Sequence, residues 1–476
     1  MRQFFGAFFD LLRLPKAFWT INLAYTLDAF AYFGILGLLP TFLTDVVRVS
    51  DTMATVLNGT FTACVSLFMF GFGSYSERFG VRRALLASLL VLALGRVILS
   101  GSAWSPGQAV VIVLVLAALL VMAAGEGVIQ TANYSGLKQY SDEKTSAMGF
   151  GLNYTVMNVG GLLVGFAASE IRVSVDSSLG VGSASATAPT PAGTQSDWVG
   201  WLASFSGSGI AAVFWMCTTV TLVACVASAL LFTRRAERAK LRPEDEQRVI
   251  QQRKTAAVLP LWERIKAGPF GDARFAFFVF ILLPARTLFG YQMHIMTNYI
   301  LRAYPKEVAD RAEWFSVSLN PLVIVLAVPL LTAFTRKLDM YRLMLVGTLV
   351  TAVPTFLLTF GERWELLLTY LIVFSFGEAL WQPRFYQFAA ELAPEGRMGS
   401  YMAAANIPWL LAKFLSGVYS GWLLSIFCPA TGPRNPGTMW AIYGAFALVS
   451  PLGLWLARDW LKAGLHPRQN VTAQPT

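Results

Sequence analysis

The chain has 476 residues, of which 55% are hydrophobic and only 13% charged, with a mean hydropathy of +0.56. A soluble chain of this length carries about a quarter charged residues, so a water-soluble globule is excluded. The net charge of +10 lies mostly in segments between apolar runs, which makes it a membrane-topology signal and speaks against a nucleic-acid partner.

Taken from the N-terminus, residues 1–16 set Phe4, Phe5, Phe8, Phe9, Leu11 and Leu12 among Arg2, Asp10 and Arg13, the pattern of a short interfacial helix. No small-residue cleavage site follows, so no cleaved signal peptide is expected. Runs such as Ala84–Leu99, Val110–Ala124 and Ile210–Phe232 approach the ~20 residues that cross a bilayer as a helix. They lack the alternation of a membrane barrel, so helices are left as the way to satisfy the backbone in hydrocarbon. Twelve spans are predicted near 18–43, 54–76, 82–101, 107–136, 147–169, 207–233, 273–301, 314–335, 341–360, 365–391, 398–427 and 438–459.

Two stretches interrupt the spans. Ser174–Asp197 is rich in Ser, Ala, Thr, Gly and Pro and reads as a flexible outer loop. Arg234–Asp272 is charged, with a helical stretch around Pro243–Lys254, and reads as a cytosolic linker. The expected organisation is an interfacial segment 1–16, a six-helix bundle 17–233, the linker 234–272, a second six-helix bundle 273–460 and a cytosolic tail 461–476. Basic residues gather on the side of the termini: Arg13 and Lys16, Arg78, Arg82 and Arg83, Lys138 and Lys144, Arg336, Lys337 and Arg342, Arg458 and Lys462. Both termini are therefore expected in the cytoplasm. The four cysteines sit in or at the ends of apolar spans, and the two histidines, His294 and His466, are too far apart to form a ligand cluster, so neither a disulfide framework nor a metal is expected. Asn-x-Ser/Thr matches at Asn58, Asn133, Asn153 and Asn470 read as chance.

Between the second and third spans stands Gly73-x-x-x-Glu77-Arg78-Phe79-Gly80-Val81-Arg82-Arg83. It resembles the Gly-x-x-x-Asp-Arg-x-Gly-Arg-Arg loop of the major facilitator superfamily. Small residues allow close helix approach, and an acid among arginines can hold one conformation by charge-assisted bonds, so Glu77, Arg78, Arg82 and Arg83 are gating candidates. A degraded counterpart, Arg336-Lys337-Leu338-Asp339-Met340-Tyr341-Arg342, sits at the equivalent place in the second half. Four further segments are similar to those of the proton-dependent oligopeptide transporters. They are Phe30-Ala31-Tyr32-Phe33-Gly34, the fifth-span run from Asn153-Tyr154 to Met157-Asn158, Ser318-Leu319-Asn320-Pro321, and Gly377-Glu378-Ala379-Leu380-Trp381-Gln382-Pro383. The resemblance implies an all-α membrane protein of the major facilitator fold, with twelve helices in two six-helix bundles and a central solute site.

The departures from that family are equally informative. Where it carries Glu-x-x-Glu-Arg in the first span, this chain keeps one acid, Asp28, and its fourth-span lysine is Gln130. The cations that hold a peptide carboxylate there are absent, while Asn158, Asn320 and Glu378, associated with the amino end, are retained. Charges inside spans are costly, about 2.5–3.5 kcal/mol each on insertion scales, and are functional candidates. Here they are Asp28, Arg96, Glu126, Arg286, Glu378, Arg384 and Lys413. Glu378 is the leading substrate and proton site, with ion pairing to Arg286 or Lys413 as the structural alternative. Asp28 and Glu126 are the further proton-coupling candidates. Asp28 lies one turn from Tyr32, so both can line one cavity wall. Arg286 is a candidate anion clamp from another wall, Lys413 needs a partner and is assigned to gating, and Arg96 reads as a structural residue snorkelling to the outer surface. Tyr32, Tyr154 and Trp381 complete the expected substrate site.

These residues point to a secondary active transporter. The leading reading is proton symport of a small amine-bearing organic solute, such as a short peptide, with the proton gradient as energy source and no cofactor. The alternatives are a proton-linked exporter of a cationic drug or metabolite and, more distantly, a non-transporting membrane receptor. No enzyme motif is present. A bacterial inner membrane and a monomer are the expected setting.

Overall fold

The computed structural model describes residues 13–72, 79–105, 107–141, 145–181, 197–237, 268–335, 338–392, 401 and 404–463. The first half contributes α1 (Lys16–Thr41), α2 (Asp51–Gly71), α3 (Val81–Gly101), α4 (Gln108–Gln139), α5 (Ser146–Ser178) and α6 (Gly209–Leu231). In the second half α7 is a broken helix in three pieces, Ala273–Ile281, Leu283–His294 and Met296–Ala303. It is followed by α8 (Leu319–Thr335, entered through the π-turn Trp314–Ser318), α9 (Met340–Ala352, extended by the 3-10 stretch Val353–Phe360), α10 (Trp364–Leu392), α11 (Ile407–Phe427) and α12 (Pro436–Leu456). Eleven helices among the described residues are long and apolar enough to span a membrane; the twelfth, Trp314–Val328, is shorter.

Two separate apolar cores organise these helices. One is built from residues of α1–α6, from Leu14 to Phe232, joined by Val317. The other is built from α7–α12, from Phe275 to Leu461. The opposite faces expose Leu90, Leu94, Val113 and Leu120 in the first half and Leu326, Leu330, Leu452 and Leu456 in the second. An apolar face turned outward in this way is a lipid-facing surface.

The halves meet chiefly through α2 against α11 and α5 against α8. Glycine permits the first contact. A methyl group on Gly59 would lie 3.0 Å from Gly417 Cα and 3.1 Å from the Lys413 carbonyl. Without side chains the two backbones meet directly, as small residues allow in membrane helix packing.

Two sequence expectations need correction. The fifth span does not stop near residue 169, because α5 runs to Ser178, so the first residues assigned to a flexible loop are helical. The loop's far end opens a further short helix, Asp197–Ser206, before α6. Residues 182–196, most of the interfacial segment 1–16, the linker helix at 243–254, Arg336 and Lys337, and the gating candidates Glu77 and Arg78 lie outside the described residues.

Candidate functional site

Three charged assemblies lie along the line where the halves meet or inside each half. The first closes the end of the molecule opposite the chain termini. Arg302, at the end of α7, binds Asp51, at the start of α2, with Nη1 and Nη2 donating to Oδ2 and Oδ1 at 2.8 and 2.6 Å. Such a two-pronged pair is the strong geometry for arginine and carboxylate. Arg172 near the end of α5 pairs with Glu313 at the entry to α8, donating from Nε and from Nη2, the latter at 3.0 Å. Ser169 also donates to Glu313, at 2.9 Å.

Bonds to main-chain carbonyls reinforce this end. Thr297 donates to the Gly37 carbonyl at 2.9 Å, Ser318 to the Leu162 carbonyl at 2.5 Å, and Arg172 to those of Ala309 and Asp310. Asn58 donates to the Met293 carbonyl at 3.0 Å and lies 3.1 Å from His294 Nδ1, while His294 Nε2 faces the Lys413 carbonyl at 3.1 Å. With a carbonyl on one side and an amide donor on the other, the imidazole is the neutral Nε2–H tautomer. Bonds gathered at one end leave the two halves latched there.

The second assembly is sealed within the first half. Arg96 on α3 has no exposed surface, and its Nη2 donates to Asp28 of α1 and Glu126 of α4 at 2.8 Å each. Its Nη1 donates to Thr221 of α6 at 2.5 Å. This corrects the expectation of a snorkelling Arg96. The buried face of α3 runs through Ser88, Leu92, Arg96 and Leu99, spaced by four, four and three, so the arginine falls on the inner stripe. Asp28 is likewise turned to Arg96 inside the half, at 2% exposure, and does not line an open wall with Tyr32. Tyr32 is half-buried and packs against Phe33 and Phe61. One cation between two carboxylates leaves the trio neutral only when it also holds one proton.

The third assembly is in the second half. Glu378 on α10 is buried, and its Oε2 accepts from Asn320 of α8 at 2.7 Å and its Oε1 from Gln382 at 3.2 Å. Asn320 also donates to Ser375 at 2.9 Å. Neither Arg286 nor Lys413 pairs with Glu378, so the structural alternative is not realised. Arg286 on α7 is buried with its guanidinium carbon 4.0 Å from the centre of the Phe385 ring and 5.5 and 5.8 Å from those of Trp409 and Trp381. Its Nη1 has no hydrogen-bond partner. Lys413 contacts the same Trp409 ring at 5.6 Å and makes no ion pair among the described residues. Cation–π contacts are worth about 0.5–2 kcal/mol, whereas removing a charge from water costs several kcal/mol unless a counter-charge is found.

The remaining candidates divide. Asn158 is turned back on its own helix, donating to the Tyr154 carbonyl at 2.9 Å. Tyr154 is 40% exposed yet within electrostatic reach of Glu378 and Tyr386, so it faces the space between the halves. Trp381 is fully buried with an unpartnered Nε1, and Gln130 is half-buried. Of the gating arginines, Arg82 donates to the Phe232 carbonyl at the end of α6, in its own half, and Arg83 is exposed. Arg384 reaches Thr335 at 3.2 Å.

The profile of the Major Facilitator Superfamily matches residues 21–417. The chain belongs to this superfamily. Among curated members it is 25% identical to dipeptide and tripeptide permease A of Chromobacterium violaceum, over 91% of this chain and 89% of that one. Among solved structures, PepTSo, a POT-family transporter, superposes with a TM-score of 0.68 at 16% identity, covering 95% of this chain and 99% of that chain. Tetrameric PepTSo2 superposes with a TM-score of 0.65 at 17% identity, over 94% and 99%. At these identities the structural likeness establishes the shared fold.

Several residues of this superfamily member escaped the sequence reading. Asp51, Arg172, Arg302 and Glu313 lie one to three residues beyond the predicted span ends at 54, 169, 301 and 314. Asn133 and Asn153 exchange hydrogen bonds at 2.9 and 3.1 Å, and Asn153 also donates to Asn22 at 3.0 Å. Those amides are a structural network across α1, α4 and α5. The signal for them was present, because amides in an apolar span need partners.

Proposed function

We propose that this chain is a proton-coupled symporter of a small amine-bearing solute, short peptides included, in which Glu378 exchanges a proton for contact with the solute's ammonium group. The observation that carries this reading is the buried Glu378 carboxyl with neutral donors and, among the described residues, no cation paired with it. Such a group in hydrocarbon takes either a proton or a positively charged ligand. The full-length similarity to a dipeptide and tripeptide permease supports the solute class.

The coupling path runs along α8. Asn320 reads Glu378, and Glu313 of the latch stands seven residues earlier, directly before the π-turn that leads into α8. A change of charge at Glu378 that moves Asn320 therefore pulls on the Arg172–Glu313 pair. The Asp28–Arg96–Glu126 trio offers a second proton site in the other half. With the basic residues around the termini facing the cytoplasm of a bacterial inner membrane, the latched end faces outward and the solute site opens inward. Rocking of the two bundles then exposes the site alternately, with a single chain as the working unit.

Reconstitution into proteoliposomes tests this. Trialanine together with an inward proton gradient is expected to drive proton uptake, and Glu378→Gln to abolish it while remaining monodisperse. Proton uptake that persists in Glu378→Gln would remove that residue from coupling. Absence of gradient-dependent peptide flux would overturn the symport reading, and gradient-driven export of a cationic dye would replace it with the exporter.

A further inference from the structure

We propose that Arg286 binds the carboxylate of the solute, so that the second half of the molecule reads both charged ends; this rests on Glu378 being the amine site. The buried Arg96 and Arg172 and the half-buried Arg302 each have a carboxylate within ion-pair distance. Arg286 does not among the described residues, although it is 97% buried and its guanidinium rests against three aromatic rings. Rings attract a cation but accept no strong hydrogen bond from it, and Nη1 is left without a partner. A second basic side chain, Lys413, rests on the same Trp409 ring, so this corner brings two basic groups together with no ion pair to either among the described residues.

The placement suits a ligand that also reaches Glu378. Arg286 stacks on Phe385, which lies seven residues beyond Glu378 on α10. Seven residues of helix advance about 10 Å, close to the length of an extended chain of two to three residues at roughly 3.3–3.6 Å each. Trp381 lies between them on the same helix, contacting Arg286 at 5.8 Å. The chemistry is a carboxylate, held by a planar fork, and separated from an amine by two to three residues. A free α-amino acid is too short to satisfy both groups at once.

Binding of trialanine and of trialanine amide to the detergent-purified full chain separates the possibilities. Wild type is expected to bind the free acid at least ten-fold more tightly than the amide. Arg286→Gln should bind both equally, and Glu378→Gln should keep the preference for the acid. Arg286→Lys, which retains the charge without the fork, should keep a reduced preference and controls for folding. A ten-fold preference surviving in Arg286→Gln would overturn the proposal and move the carboxylate to another group such as Lys413. Equal binding of both ligands by wild type would overturn it while leaving the amine reading intact. Propionate supplies an arm independent of peptides. A rise in melting temperature that disappears in Arg286→Gln would support the anion site even if no peptide bound, in which case the amine-solute reading alone would fail. No response to propionate or to trialanine would overturn both.

Discussion

Replacing Arg96 by Met would strip the single cation from between Asp28 and Glu126. Both carboxylates are at 2% exposure or less, and the arginine offers each a 2.8 Å bond. Removing one partner of a buried ion pair costs about 3–5 kcal/mol, and two acids lose their partner here, which places the cost at the upper end. For a unit the size of one six-helix half, roughly 2–4 °C of melting temperature accompanies each kcal/mol. The expected drop is on the order of 10–20 °C, read by the intrinsic tryptophan fluorescence of detergent-purified protein. Adding Asp28→Asn and Glu126→Gln to Arg96→Met should recover most of it, because neutral groups of the same shape carry no unpaired charge. Asp28→Asn alone leaves Arg96 and Glu126 one to one, so its melting temperature should change far less than that of Arg96→Met. An Arg96→Met protein melting within about 2 °C of wild type, or a triple variant no more stable than the single one, would refute the reasoning.

The latch gives a second test. Glu313→Gln removes the negative charge and one of the two oxygens that Arg172 and Ser169 bind, so a cysteine label at the closed end should become reactive at least ten-fold faster, corresponding to about 1.4 kcal/mol of opening. Gly59→Val places a branched side chain where even one methyl meets Gly417 and the Lys413 carbonyl; spin labels across the same end should show a longer distance and solute flux should fall. Asn153→Ala breaks the amide network with Asn22 and Asn133. Such bonds between membrane helices average ≈ 0.6 kcal/mol, so melting should fall by only a few degrees and transport should persist. Arg286→Gln in the absence of solute should match or exceed wild-type stability, since an unpaired buried cation is removed; a fall of several degrees would mean that the aromatic stacking holds α7 in place.

The division of the chain into two apolar halves could be read directly, because a bilayer imposes a length on each helix and the composition responds to it. Glu378 and Asn320 were found through local segments, and they do meet, since each segment fixes its own helix face. Arg96 was misjudged for a different reason. Its partners lie far away in the chain, and only the inward stripe of α3 shows which way it points. The latch residues were lost because a hydropathy boundary is uncertain by a few residues, which is where Asp51, Arg172, Arg302 and Glu313 reside. Asn158 shows the opposite failure: its motif is present, but its side chain bonds its own helix in this conformation. Ion pairs between halves depend on how two bundles dock, and no local pattern encodes that.

The acceptors of the latch carry a consequence for how such a chain can change over generations. Thr297, Ser318, Asn58 and Arg172 send bonds to the main-chain carbonyls of Gly37, Leu162, Met293, Ala309 and Asp310. A carbonyl survives almost any substitution at its residue. Each half can therefore drift at its carbonyl-bearing positions without losing those contacts, while its own donors, Asn58 and Arg172 in the first half and Thr297 and Ser318 in the second, hold the grip. The side-chain donors and the two carboxylate partners, Asp51 and Glu313, are the positions open to single changes, and the carboxylates are the natural points for tuning how readily the closed end lets go.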